Sequence, residues 1–469
     1  MPLSPAYRPD PRLTLLGPEF ADEVSAADFP AARLRYRNDR AAASVGLDGL
    51  TEGEWLGHFA KFEPLPGNLP RPLAQRYHGH QFRVYNPDLG DGRGFTFAQM
   101  REAGTGRLLD LGTKGSGTTP WSRAGDGRLT LKGGVREVLA TAMLEARGVV
   151  TSRSLSLVET GEALQRNDEP SPTRGAVLVR LSHGHIRFGT FQRAAWHEQP
   201  ALVQALVNYG VEIYYPELAS RPDRAVALLE AVIEKCALMA ASWMAAGFVH
   251  GVLNTDNMNL TGESFDYGPY RFLPRNDPNF VAAYFDQNGL YSFGRQPEAV
   301  FWNLQQLAGA LSQVADKEDL VASLNRFPDT YRAALAQAVM RRLGLAVDAD
   351  AAGLVSTAFQ ALAAGGQALS WEAFFFDWFG GRVDRALASP RGAIYAGEGF
   401  AAFRERLASA SPDRPERMDH PYFGEVEPQD LLIEEIEGIW AAIAERDDWT
   451  MFNAKLAAIE AMRGAYDAA

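Results

Sequence analysis

The feature that most constrains this chain is a change of pattern near residue 190. Between about 70 and 190 the sequence is dense in glycine and carries short runs of strand character, at 94–100, 108–114, 151–159 and 176–182. Residues 166–174 read as a polar turn between the last two runs. From about 190 to Ala469 the apolar residues recur mainly at helical spacing. One helix interrupts the strand-rich part. Val135, Val138, Leu139, Ala142 and Met143 form its apolar stripe, Gly148 is its stop, and Glu137 lies off the stripe, free to face a cleft. The pattern predicts an α+β fold with a strand-rich part over residues 1–188 and a helical part over 189–469. A ligand cleft is expected between the two.

Composition narrows the function classes. The net charge of −12 argues against broad binding of nucleic acid through its phosphates, which needs clustered Lys and Arg, but it says nothing about one local basic pocket. A single cysteine, Cys236, cannot close an intrachain disulfide, and this fits a reducing compartment. The N-terminus has no apolar signal core. The longest apolar stretch, 237–249, is broken by Ser242 and too short to span a bilayer, so it reads as a buried helix. A cytoplasmic protein with neither a nucleic-acid nor a membrane partner is expected.

Four constellations carry possible chemistry. The first is Gly90-Asp-Gly92-Arg93-Gly94 ahead of a strand; glycines let backbone N–H groups approach phosphate, although the run taken alone reads first as a tight hairpin turn. The second is Lys114 at a strand end, followed by Gly115-Ser-Gly117 and by Ser122-Arg-Ala-Gly-Asp126-Gly127-Arg128. No Walker A spacing is present. A strand lysine paired with a helix glutamate, here Glu137, is the protein-kinase device for orienting ATP phosphates. The third is the run from His250 to Asp256-Asn257, followed by Asp266-Tyr-Gly268. It resembles a kinase catalytic loop and its metal-binding motif, with Asn257 and Asp266 as oxygen ligands for Mg²⁺. The position of the kinase base is Val252, which accepts no proton, and Asp256 is the nearby carboxylate that could replace it. The fourth is Arg180 with Arg187, which form either a phosphate pocket or surface ion pairs.

Read together, these motifs resemble the selenoprotein O family. The match runs through Tyr77-His-Gly-His-Gln-Phe82, Leu89 to Gly94, Lys114 to Gly117, Ser122 to Arg128, His185-Ile-Arg-Phe-Gly189, His250 to Asn257, Asp266 to Pro269, and the stretch from Tyr291 to Trp302-Asn-Leu. The resemblance implies a bilobal protein-kinase-like fold, with a strand-rich N-lobe and a mainly helical C-lobe. It also implies ATP bound in flipped orientation and transfer of AMP to Ser, Thr or Tyr hydroxyls of target proteins. By the same resemblance Gly90, Gly92, Arg93, Asp126 and Gly127 would contact the nucleotide. Lys114 would hold phosphate and pair with Glu137, and Arg180 and Arg187 would bind its γ end. Asn257 and Asp266 would ligate Mg²⁺ or Mn²⁺, and Asp256 would accept the proton. Two departures stand out. Arg83 follows Phe82 where the family has glycine, and residues 461–469 lack the C-terminal cysteine or selenocysteine that family members often carry.

Ordinary phosphoryl transfer is a weaker expectation because of Val252, and a non-catalytic ATP-binding scaffold has no need of so complete a metal and phosphate set. Uridylyl transfer from UTP with Mn²⁺ stays open, since base recognition is not legible. The pairs His78/His80 and His183/His185 read as structural rather than as zinc ligands, and Cys236 as an inert buried thiol. The aromatic run 374–379 reads as core, and Glu434, Glu435 and Glu437 as a solvated helix face.

Overall fold

A computed structural model describes residues 3–466 except 168 and 349. Asp168 of the expected turn and the last three residues of the helical run lie outside the described residues. The main sheet is antiparallel. Its strands and those of a small hairpin are, in chain order, β1 (Ala21–Glu23), β2 (Arg33–Arg37), β3 (Leu73–Gln75), β4 (Gly79–Gln81), β5 (Val84–Asn86), β6 (Thr96–Arg101), β7 (Leu108–Lys114), β8 (Leu129–Thr130), β9 (Arg153–Leu164) and β10 (Thr173–Ser182). The sheet runs β1-β3-β6-β7-β10-β9-β2, with β8 added against β10, while β4 and β5 pair with each other.

Strand alternation sorts the side chains of this sheet onto two faces. Leu111, Val177, Val179 and Leu155 pack against Trp55 and Phe59, on and beside the short helices α1 (Asp39–Ser44) and α2 (Glu52–Phe59). Leu178 and Leu157 point the other way, into the core beneath α3 (Leu131–Ala146). Thr130 caps α3 by accepting from the Gly133 N–H at 3.1 Å, and Gly148 turns the chain away at φ +81°. In the β7–β10 register, Leu178 lies opposite Lys114, and Arg180 opposite Gly112. Lys114 and Arg180 therefore project from the same face, the one that α3 crosses.

The helical part begins with α4 (Phe188–Trp196), α5 (Pro200–Tyr209), α6 (Arg224–Ala246) and α7 (Gln296–Leu311). The stretch expected as helix to residue 249 is helix only to Ala246. Gly247 takes φ +61° with Trp371 packed where a Cβ would sit, and Phe248–Val249 becomes β11, paired with β12 (Arg271–Phe272). The expected strand at 151–159 starts at Arg153 and runs on to Leu164, past Gly161 at φ +73°. Phe374, Phe375, Phe376 and Trp378 are at most 1% exposed, so this aromatic run is core. The helices Ile433–Arg446 and Thr450–Tyr466 return to the strand-rich part, where Phe452 meets Tyr36 edge-on and Asp447 takes ion pairs from Arg35 and Arg174. Glu435 and Glu437 of that acidic helix face bond Lys455 and Lys132. No helix among the described residues is long and apolar enough to cross a membrane.

Candidate active site

Four side chains from two strands, a helix and a loop converge on one point. Lys114 closes β7, Arg180 lies near the end of β10, Glu137 projects from α3, and Asp266 lies in the last loop before β12. The Lys114 Nζ donates to Glu137 Oε2 at 2.6 Å and to Asp266 Oδ1 at 2.7 Å. Arg180 Nη1 lies 3.4 Å from Glu137 Oε1 and 3.5 Å from Asp266 Oδ1. Glu137 is off the apolar stripe of its helix, yet it is only 1% exposed, because the two cations beneath it replace water. Burial pushes the Asp266 carboxyl up, but Lys114, Arg180 and Arg93 outweigh it and hold the group well below the usual carboxylate range. Asp266 also sits at φ +64°, a region that non-glycine residues adopt rarely and that concentrates at functional sites.

The loop from His250 to Asn257 is held from behind. His250 Nε2 meets the Phe265 carbonyl at 3.0 Å, and the His250 N–H donates to Gln296 Oε1 at 3.0 Å. From the front, the β4–β5 hairpin clamps it. The His80 N–H donates to Thr255 Oγ1 at 2.7 Å, and the Phe82 N–H to Asn254 Oδ1 at 3.1 Å. Asn257 Nδ2 donates to the Val252 carbonyl at 2.9 Å, and no hydrogen bond among the described residues reaches its Oδ1. Two side-chain atoms of this loop, His250 Nδ1 and Asp256 Oδ1, are buried without a hydrogen-bond partner among the described residues. Burial pushes Asp256 up to about 6, against the pull of Arg187. Arg187 itself donates to the Asp256 carbonyl at 2.7 Å and to Asp91 Oδ1 at 3.1 Å.

These groups open onto a cleft of about 700 Å³. Its lining includes seven basic residues, Arg93, Lys114, Arg123, Arg128, Arg166, Arg180 and Arg187, against four aspartates, Asp91, Asp126, Asp256 and Asp266. An acidic chain has thus gathered a net positive pocket, which is what a polyphosphate requires. Arg180 and Arg187 both lie over the Phe265 ring, at 6.0 and 5.1 Å. Ten of the twelve residues to which the sequence gave a site role line this cleft: Gly90, Gly92, Arg93, Lys114, Asp126, Gly127, Arg180, Arg187, Asp256 and Asp266. Glu137 lies behind Lys114, and Asn257 follows Asp256 in the same turn, outside the lining.

The glycines also have a packing role. A Cβ at Gly90 or Gly92 would strike Trp121, so these residues let one loop close over another. Asp126 meets the Arg166 guanidinium at 2.7 Å on the rim. Sequence reasoning gave no role to Asp91, Trp121, Arg123 or the clamp made by His80 and Phe82; the only signal was their place inside or beside the quoted motifs. Arg83 adopts φ +66°, the backbone of a glycine position, while its guanidinium reaches Glu298 at 3.1 Å. His78 bonds Tyr85, His80 bonds Gln192 and His185 bonds Asp110; no cluster of three His, Cys, Asp or Glu fit to hold a metal occurs among the described residues.

A divalent cation still fits the donor set. Asp266 is ionised, Asn257 offers a free amide oxygen and Asp256 an unbonded carboxylate oxygen. Mg²⁺ typically takes one or two such carboxylates and completes its shell with phosphate and water.

Comparison with known proteins places this architecture. The profile of the family described as "Protein adenylyltransferase SelO" matches residues 5–460. A protein of Gloeobacter violaceus called "Protein nucleotidyltransferase YdiU" is 47% identical over 455 residues, covering 94% of this chain and 93% of its own. Proteins of the same name from Synechocystis and Vibrio cholerae are 43% and 40% identical, covering 95% and 75% of this chain and 96% and 71% of their own. The chain therefore belongs to the protein adenylyltransferase SelO family, and by that membership it is a nucleotidyltransferase.

Proposed function

We propose that the protein transfers AMP from ATP to a Ser, Thr or Tyr hydroxyl of a target protein and releases pyrophosphate. The observation that carries this reading is the joining of Lys114, Glu137 and Asp266 with two further arginines, Arg180 and Arg187, in one cleft. A γ-phosphoryl transferase of the kinase type needs the lysine, the glutamate and the metal aspartate. The added arginines suit a nucleotide turned so that its terminal phosphates lie deep and its α-phosphorus faces the acceptor. The same set supports a bilobal, protein-kinase-like reading of the fold, with residues 1–188 and 189–469 as its two lobes. A cytoplasmic location is part of the proposal.

In this account the acceptor oxygen attacks the α-phosphorus, and the bond from that phosphorus to the oxygen bridging the β-phosphorus breaks. Asp256 takes the proton of the attacking hydroxyl; a carboxyl poised near 6 is ionised at neutral pH yet basic enough to help. Lys114, Arg180 and Arg187 bind the phosphates and offset the charge that gathers on the departing pyrophosphate. Asp266 and Asn257 would hold Mg²⁺ or Mn²⁺, whose chemistry is to polarise the phosphoryl oxygens. Glu137 keeps the Lys114 ammonium in place. The clamp by the β4–β5 hairpin fixes the loop that carries Asp256.

Product analysis tests the reading. With an acceptor protein present, ATP should yield pyrophosphate and AMP–protein. Formation of ADP with phosphoprotein would replace it by kinase activity, and a match of UTP to ATP would change the donor.

A further inference from the structure

A second cavity, of about 590 Å³, shares no lining residue with the cleft. The two are built from the same segments. The stretch that brings Asp266 to the cleft sends Glu263 to the cavity, and β10 with the turn after it sends Arg180 to one and His183 to the other. The volume falls in the range of ordinary small-molecule sites.

Three arginines of its lining, Arg101, Arg107 and Arg147, are ion-paired with Asp10, Glu102 and Asp430, but its other charged groups have no such partner among the described residues. Glu263 is only 6% exposed, yet it has no ion pair among the described residues; one of its oxygens accepts the His183 N–H at 2.7 Å. Burial pushes this carboxyl up to about 7 and the His183 imidazole down to about 4, so the ring is neutral at physiological pH. The His183 ring makes no hydrogen bond among the described residues and stands edge-on to Tyr214 at 5.4 Å. Lys235 and Arg341 also line the cavity; both are exposed, and neither has an ion pair among the described residues. Gly262 packs on the Lys235 backbone, and the Arg341 guanidinium lies over Gly148. The apolar wall is left open as well: Val150 is 58% exposed and Leu238 43%. Solvated cations and a loose seam would explain the charge and the space, but not a buried carboxyl that Arg153 and Arg107 influence only from a distance, with no ion pair among the described residues.

We infer that this cavity is a ligand site separate from the nucleotide cleft, fitted to a small organic anion with an apolar ring body and one hydrogen-bond donor. The donor meets Glu263, the anionic group meets Lys235 and Arg341, and the ring covers Val150 and Leu238. Covering apolar surface stabilises the bound ring, and each charge-assisted contact adds direction.

Anilinonaphthalene sulfonate has these three parts and serves as the probe. It is titrated into the full-length protein, with fluorescence giving affinity and calorimetry giving stoichiometry. One saturable site is expected, undisturbed by excess ATP. Replacing Lys235 and Arg341 together by alanine should weaken it at least about tenfold, the scale of losing two partners of one anion. Ala338→Trp, which fills the cavity, should abolish it. Lys235 and Arg341 are exposed, so their removal leaves the fold intact, and thermal unfolding checks this. Binding that does not saturate, that ATP displaces, or that persists in both variants overturns the inference.

Discussion

Lys114 and Asp266 are 152 residues apart in the chain, and the ammonium of one lies 2.7 Å from the carboxylate of the other. A β-strand of the first part and a loop of the second are joined there. Glu137 holds the same ammonium from the opposite side at 2.6 Å. Lys114→Ala removes the cation shared by two carboxylates. Transfer should fall by about 10²–10³, the scale for losing one preorganised charged donor. Steady-state rates with saturating ATP check it, and an activity near wild type would contradict the site.

Asp266→Asn keeps the shape and removes the charge. Transfer should be lost, and Mn²⁺ binding in the presence of ATP, read by electron paramagnetic resonance, should weaken with it. Undiminished Mn²⁺ binding would move the metal elsewhere.

The pH dependence comes from Asp256, whose carboxyl faces Arg187, Arg123, Tyr77 and Asp266 and is pushed up to about 6. A base must be ionised. Below about pH 6 the group takes a proton, and kcat/KM should fall in inverse proportion to proton concentration, about tenfold per pH unit. Asp256→Asn should lower the rate and erase this limb. An unchanged limb in the variant would assign the titration to another group.

Arg180→Ala should weaken ATP more than ADP in competition assays, because in the proposed orientation the arginine would serve the terminal phosphate. An equal loss for both nucleotides would count against the turned orientation.

A last prediction concerns stability rather than chemistry. Glu372 is fully buried, accepts a hydrogen bond from Arg342 at 2.5 Å and forms an ion pair with Arg147 at 3.1 Å. Glu372→Ala leaves two buried guanidiniums short of a partner, and unfolding free energy should drop by about 3–5 kcal/mol. Chemical denaturation measures it, and a loss under about 1 kcal/mol would show that the network relaxes.

The range of each interaction decided whether the sequence revealed it. Lys114, Glu137, Arg180 and Asp266 were legible because strand end, helix face and motif spacing are local properties. Their union was expected only through the kinase-like pattern. Asp91 was hidden because its partner Arg187 is 96 residues away. Trp121 was hidden because the contact that gives Gly90 and Gly92 their meaning is between two loops. The helix expected to run through residue 249 stopped at Ala246, since the apolar pattern continues into β11 and only the packing of Trp371 on Gly247 ends it. The unbonded Oδ1 of Asp256 could not be read at all, because burial belongs to the folded chain.

The central claim is tested most directly by following label from ATP onto protein. The enzyme is incubated with Mg²⁺ or Mn²⁺, an acceptor protein, and ATP carrying radioactive phosphorus at either the α or the γ position. Label reaching protein from the α position alone is the predicted result. Label arriving from the γ position alone would contradict the account and make the protein a kinase.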